Sequence, residues 1–432
     1  MTGALDRAIA PSVHELESMA LPAVSREMLA NGTQLVVLNH GQQPVNRIMI
    51  VWPVGLADVE NPEALKLLRV MLTEGTAHHS GAEIADAFEF NGAWVKVDAG
   101  RHFTSVTLHS LNSTAGKVMP LLGEIISSPS FDARAMEGMR QKEAAACEIR
   151  RRKVAQQASE LSGRMFYGKN HPLAHVATPE LIRAVDTADV RDIHRRLMRS
   201  VAPTIYLAGA VDEGLLQNVK GVIGQIDFSV TDAPPVRSIV PVVTHEASRC
   251  ETKLDEGSMQ TAIRLVIPAI GRSNPDYEMM RYTVFALGGY FGSRLMSNIR
   301  EEKGYTYGIN ASISSLHEGA SVSVSCETDN RYASAVRNEI EKEIYRLAEQ
   351  PMKPEEFEVV RSSIMSGLTT MLDSPFSIMD YHQMMDMFGL PDDYYAYQLE
   401  QLSALTPERI MDCAARYLAA APRLTAMAGN PT

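Results

Sequence analysis

Long apolar runs are missing from this 432-residue sequence. With no window of about 18 uninterrupted apolar residues, it offers no membrane-spanning helix. The opening residues, MTGALDRAIAPSVHELESMALP, hold no apolar stretch like the core of a signal peptide. They also carry acids and few arginines, unlike a mitochondrial transit peptide. The expectation is a cytoplasmic protein, or a periplasmic one if a leader preceded these residues. Cysteine is scarce. Cys147, Cys250, Cys326 and Cys413 lie far apart and form no Cys-x-x-Cys pair, which excludes a disulfide framework or a thiolate zinc site and leaves small buried hydrophobes as their reading. A basic excess is absent as well: the net charge of −11, without a long run of either sign, argues against a nucleic-acid partner. There is no Gly-x-Ser-x-Gly elbow and no Cys/His nucleophile signature, so nothing points to an independent enzyme of another class.

What the sequence does have is length and repetition. Thr187-Ala-Asp-Val-Arg-Asp-Ile-His precedes a short helix, then Ala202-Pro203 and a strand ending in Ala208-Gly209. About 220 residues later the same order recurs: Thr406-Pro-Glu-Arg-Ile-Met-Asp, a helix, Ala421-Pro422 and a strand ending in Ala428-Gly429. Each is read as a Thr-capped amphipathic helix, an Ala-Pro break and a strand. Self-similarity at half the chain length predicts two homologous halves, residues 1–229 and 246–432. Between them a Pro-rich linker, 230–245, carries Pro234, Pro235 and Pro241.

Within the first half, strands are expected at Leu35–Leu38, Ile48–Val54 and Thr104–Ser110. Helices are expected from Pro62 to Thr73, capped by Asn61 and stopped by Gly75, and from Ala115 to Ser127. The second half predicts helices at 276–288, 293–303, 331–348 and 354–372, and strands at 305–314 and 320–327. The class is α+β, each half a mostly antiparallel sheet under helices.

The stretch Gly288-Gly289-Tyr-Phe-Gly-Ser293-Arg294-Leu, followed by Arg300-Glu301-Glu302-Lys303-Gly304-Tyr305-Thr306-Tyr307, resembles the C-terminal-domain signature of the pitrilysin/insulinase (inverzincin) metallopeptidases. Tyr167-Gly-Lys-Asn-His-Pro and Asn31-Gly-Thr-Gln-Leu resemble two further family segments, so the similarity runs over nearly the whole chain. It implies two related α+β domains per subunit and two subunits that close on one another.

Active members of that family carry His-x-x-Glu-His on a helix shortly before a Gly-Thr. Residues i and i+4 share a helix face, so both imidazoles reach one zinc ion, and the Glu polarises its water. Aligned on Gly75-Thr76, this chain has Lys66 and Val70 in place of the histidines and Arg69 in place of the Glu. Valine has no lone pair to give, and arginine is neither base nor acceptor. A cation about 4 Å from a dication costs several kcal/mol even at an effective dielectric of about 20. Glu148 resembles the remaining third ligand; alone it binds no zinc and is read as a solvated or ion-paired helix residue. His171 and His175 have an i, i+4 interval with Glu180 nearby, but Pro172 makes a loop of them. His78 and His79 are read as surface loop, with no carboxylate partner at metal-ligand spacing.

The resemblance implies that Arg300 and Tyr307 reach a zinc site in trans, binding substrate and stabilising the oxyanion. Arg supplies a forked cationic donor and Tyr a neutral one. The local pattern leaves alternatives open: Tyr305, Tyr307, Ile309, Ala311 and Ile313 alternate as a core face would, and Arg300 can pair with Glu301 or Glu302. Gly288 and Gly289 are either a helix break or a place where backbone approaches a peptide; with no Lys at P-loop spacing they are not a nucleotide loop. The expectation is a zinc-free, non-catalytic subunit, inactive alone, with no cofactor of its own. It would pair as a heterodimer with a homologous zinc-bearing subunit that hydrolyses peptides, with no nucleic-acid or membrane partner. The competing expectation is an inactive scaffold or peptide-binding subunit of a larger assembly.

Overall fold

The computed structural model describes residues 19–228 and 240–432. Of the expected linker, 230–239 lies outside the described residues and 240–245 carries no regular secondary structure. The first half runs β1 (Ser25–Met28), β2 (Gln34–Asn39), β3 (Val45–Trp52), α1 (Pro62–Met71), α2 (Gly81–Phe90), β4 (Trp94–Ala99), β5 (Thr104–Leu111), α3 (Asn112–Ser127), α4 (Ala133–Arg151), α5 (Val154–Tyr167), α6 (Pro179–Ala184), α7 (Thr187–Ser200), β6 (Thr204–Gly209) and α8 (Glu213–Val222). The second runs β7 (Arg249–Leu254), β8 (Gln260–Ala269), α9 (Tyr277–Gly288), a π-wound turn (Met296–Glu302), β9 (Thr306–Ser315), β10 (Ala320–Asp329), α10 (Ala333–Glu349), α11 (Pro354–Thr370), α12 (Pro375–Phe388), α13 (Tyr394–Ser403), α14 (Pro407–Ala414) and β11 (Leu424–Gly429).

The strands form two sheets, ordered β1-β2-β6-β3-β5-β4 and β7-β11-β8-β10-β9. In each, one pair is parallel (β2 with β6, β7 with β11) and the others are antiparallel. Apart from β1, the two orders correspond strand for strand. The repeated Ala-Gly closes β6 and β11. Gly209 (φ 131°) and Gly429 (φ 139°) lie where a Cβ would come within 2.2 Å of the Val45 carbonyl and 2.5 Å of the Gln260 carbonyl. Only glycine permits that approach at that φ. Asn61 and Thr406 cap their helices by accepting from Ala64 N and Arg409 N, each at 3.2 Å. The first copy of the repeat departs from expectation. Its cap is Asp186, in a reciprocal box with Asp189 (2.8 and 2.9 Å), and Thr187 is already inside the helix.

One face of each sheet forms the core. Ile48, Ile50, Val106, Leu108, Ile205 and Leu207 are buried in the first, and Ile263, Leu265, Ile267, Val322 and Val324 in the second. The opposite faces are covered by exchange. Helix α12, from the second half, packs Ile378 and Met379 against Val36, Leu38, Met49, Val51, Tyr206 and Ala208 of the first sheet. Helix α5, from the first half, packs Val154, Ala158, Met165 and Phe166 against Ala262, Val266, Leu424, Ala426 and Ala428 of the second. Polar contacts clamp both. Arg26 Nη2 donates to Asp386 at 2.7 Å and Tyr206 Oη donates to the same carboxylate at 3.1 Å. Gln157 reaches Asp255 at 3.3 Å.

The cysteines divide. Cys147, Cys326 and Cys413 are buried, and burial pushes the Cys326 thiol up to about 12 and Cys413 to about 11. Cys250 is exposed, contrary to the reading of all four as core, because β7 is an edge strand without a buried residue.

Candidate functional site

The helix aligned with the zinc motif is α1, and its cations are engaged with acids. Lys66 Nζ lies 3.2 Å from Glu63, and Arg69 lies 3.6 Å from Glu143 of α4. Val70 packs partly buried against the core. Glu148 is turned to solvent and paired with Arg152 at 2.7 Å; Glu143, Cys147, Arg150 and Arg151 are the α4 residues that line the space beside Lys66. These side chains do not fit a zinc ion, and among the described residues no three His, Cys, Asp or Glu groups are placed to hold a metal. His78 and His79, read as surface loop with no carboxylate at metal-ligand spacing in sequence, both reach Glu124 of α3 (3.7 and 2.7 Å), an acid remote in sequence.

Glu63 is buried, at 2% exposure, and takes a second contact from His175 Nε2 at 2.8 Å. Burial alone pushes its carboxyl up, but the His175 hydrogen bond and the Lys66 charge outweigh burial and hold it below the usual range. His175, weighed above as a metal candidate, is thus a hydrogen-bond partner of Glu63. The same knot occurs in the second half. Glu278 is the second residue of α9 as Glu63 is of α1; it pairs with Arg281 three residues on (2.6 Å) and accepts from Tyr394 Oη at the start of α13. A cluster built twice at matching positions, once on a helix with no resemblance to a zinc motif, is a device of the fold.

Gly288 and Gly289 have negative φ, so close packing explains them. A Cβ on Gly288 would meet Ala311 of β9 at 2.7 Å, and one on Gly289 would meet Phe285 at 2.6 Å. Arg300 lies in the π-wound turn, where Lys303 N donates to Asn298 O at 3.1 Å, and Gly304 (φ 63°) ends it. Its guanidinium sits over the exposed Phe291 ring at 4.7 Å rather than on Glu301 or Glu302. Tyr307 has the parity of the buried Ile309 and Ala311 yet is 94% exposed, because a register shift opposite Cys326 and Thr328 lifts the start of β9 off the core. Among the described residues, no hydrogen bond, ion pair or ring contact engages Tyr307, and none joins it to Arg300.

A concavity missed by sequence reasoning opens between the halves, with Pro62, Lys66 and His175 among its lining. This chamber of about 500 Å³ lies between α5, the second sheet and first-half loops that include Arg101, Pro172 and His175. Its floor is polar: Ser321, Ser323 and Ser325 from β10, Asn310, Ser312 and Ser314 from β9, and Arg264 from β8. The register lays these side by side, Ser325 opposite Arg264 and Asn310, Ser323 opposite Val266 and Ser312. The signal was present in Ala320-Ser-Val-Ser-Val-Ser-Cys, whose alternation puts serine on one face of a strand with valine on the other.

The model of the peptidase M16 inactive domain matches residues 184–364. A Helicobacter pylori protein described as the non-peptidase homologue YmxG is 24% identical over 258 residues, 59% of this chain and 58% of that relative. The match therefore spans little more than half of that protein. The match places residues 184–364 in the M16, or pitrilysin/insulinase, family. Lys66, Arg69 and Val70 on α1 are in keeping with a zinc-motif-deficient member, and the matched domain is the one described as inactive. A Bacillus subtilis relative described as an uncharacterized zinc protease YmxG is 20% identical over 368 residues, 82% of this chain and 86% of that one. A crystal structure of a peptidase M16 inactive domain from Pseudomonas fluorescens superposes with a TM-score of 0.83 at 22% identity, covering 95% of this chain and 98% of that one. That likeness establishes the α+β fold with two mixed sheets. Among the described residues, no helix is long and apolar enough to cross a membrane.

Proposed function

We propose that this chain is the zinc-free subunit of a two-chain peptidase, lending Arg300 and Tyr307 to the active site of a homologous zinc-bearing partner. The observation that carries the reading is the state of Tyr307: a phenol 94% exposed at the start of an edge strand, with no partner among the described residues. Arg300, seven residues before Tyr307 in sequence, is held by a cation–π contact with exposed Phe291 at 4.7 Å. A cationic fork and a neutral hydroxyl displayed on the surface are suited to donate to a carbonyl gaining negative charge in another chain. The partner supplies zinc, water and general base, and an extended peptide adds to a sheet edge there.

The test is reconstitution with a zinc-bearing homologue that has an intact His-x-x-Glu-His. Arg300→Ala and Tyr307→Phe should each lower turnover of the pair by about a hundredfold or more, the loss typical of one oxyanion donor, with zinc content unchanged. Undiminished turnover in both variants refutes the assignment. A second reading, a peptide-binding subunit without a role in cleavage, is favoured by the polar chamber, which needs no partner to be complete.

A further inference from the structure

The chain contains its own control for the chamber, because the same layer is built twice. Against the first sheet, Arg47 of β3 lies between Ala208 of β6 and His109 of β5, and Trp94 of β4 lies beyond His109. The sixth residue of α12, Asp380, accepts from both Nη atoms of Arg47 at 2.5 and 3.1 Å. The second, Phe376, packs on Arg47 (5.4 Å) and on His109 (5.5 Å), and His109 stacks on Trp94 at 4.6 Å. Charge is neutralised there and space is filled.

Against the second sheet, Arg264 of β8 lies between Ala426 of β11 and Ser325 of β10, with Asn310 of β9 beyond. The arginine is kept. Ser159 stands at the sixth position of α5 and Ala155 at the second. Asp380, Phe376, His109 and Trp94 thus have Ser159, Ala155, Ser325 and Asn310 as counterparts. Four charged or bulky groups give way to small neutral ones, and the chamber is the volume released.

Arg264 is left half-buried with one hydrogen bond among the described residues, to Ser159 Oγ at 3.3 Å, out of the five donors a guanidinium carries. No carboxylate among them lies within ion-pair distance of it. Arg101, also in the wall, adds a second positive charge, and Lys66, paired with Glu63, a third; Glu160, the one acid lining the chamber, is hydrogen-bonded to Gln156 at 3.0 Å. Ser323 Oγ is buried with no partner. Burial, with the like charge of Arg101, pulls Arg264 below its ordinary range, a shift that a bound anion reverses.

We propose that the chamber is a carboxylate-binding site, in which Arg264 grips the anionic group of a bound peptide as Arg47 grips Asp380, with Arg101 and the β10 hydroxyls as further donors. A planar carboxylate matches the bidentate geometry that the first sheet displays. The proposal rests on the peptide-binding reading and needs neither the zinc-bearing partner nor Arg300 and Tyr307.

The test is peptide binding to the isolated full chain, measured by fluorescence anisotropy. Three N-acetylated, labelled octapeptides serve as probes: one neutral with a free C-terminal carboxylate, its C-terminal amide, and an amide with one internal Glu. Either or both carboxylate peptides should bind, which identifies a terminal or a side-chain carboxylate as the ligand group, and the neutral amide should bind about ten- to a hundredfold more weakly. Arg264→Ala should remove that preference. Ser159→Asp, which restores the acid found in the other copy, should also abolish binding while the melting temperature stays level or rises, so that loss of fold and loss of site are told apart. Equal binding of all three peptides, binding of none, or an undiminished preference in the Ser159→Asp chain overturns the proposal.

Discussion

At the scale of single residues, the acids at the start of α1 and α9 decide how the α1 region is understood. Glu63 is buried against Lys66 and His175, and Glu278 against Arg281 and Tyr394. Removing such an acid leaves its buried site without a charged partner for a cation that is itself about a third exposed, which costs about 1–3 kcal/mol. Glu63→Gln should therefore lower the urea midpoint substantially at pH 7. The Glu63 carboxyl is held below its ordinary value in the folded chain, so its contribution is complete above the unfolded value of about 4.3 and is lost as pH falls through the lower folded value. The gap between wild type and variant should be widest at pH 6–7 and shrink progressively below about pH 4. A gap that grows on acidification would show that another group governs the knot.

At the scale of elements, α9 and β9 meet without clearance. A methyl at Gly288 would intrude on Ala311 Cβ and N at 2.7 Å, so Gly288→Ala should destabilise the chain by about 1–3 kcal/mol in urea unfolding, with no need of a substrate to explain it. Elements with strong local signals were legible: Asn61 with Pro62 fixed the start of α1, and the strand expected at 320–327 is β10. β7, with every residue exposed, has no burial period to read, and its Cys250 was misplaced for that reason. Helices α5 and α12 carried no sign of their destination, because each packs on strands roughly a hundred or more residues away in sequence. The Arg–Glu–Gly–Tyr string located Arg300 and Tyr307, but no pattern foretold the register shift that exposes the phenol. The chamber escaped notice because its acid-free arginine is visible only beside Arg47 and Asp380.

At the scale of the molecule, the exchanged helices make each half the cover of the other. Without α12, Val36, Leu38, Met49, Val51 and Tyr206 would face water, at about 1.5–3 kcal/mol for each large side chain. Halves expressed separately, 1–229 and 240–432, should be insoluble or loosely packed, and co-expression should recover a soluble complex with native-like near-ultraviolet dichroism. Halves that fold cooperatively alone would contradict this. The engaged cations of α1 carry a second expectation: the purified chain should bind zinc at well below one equivalent, and chelator should leave its melting temperature unchanged.

Two identical copies of one such half, each lending an arm to its neighbour, would make an isologous dimer in which any mutation to one seat falls equally on both. A tandem chain escapes that symmetry. With α5 and α12 encoded separately, one seat can stay plugged by its own aspartate and phenylalanine as a permanent joint. The other is free to drift into a receptor, at no cost to the joint that keeps the molecule closed.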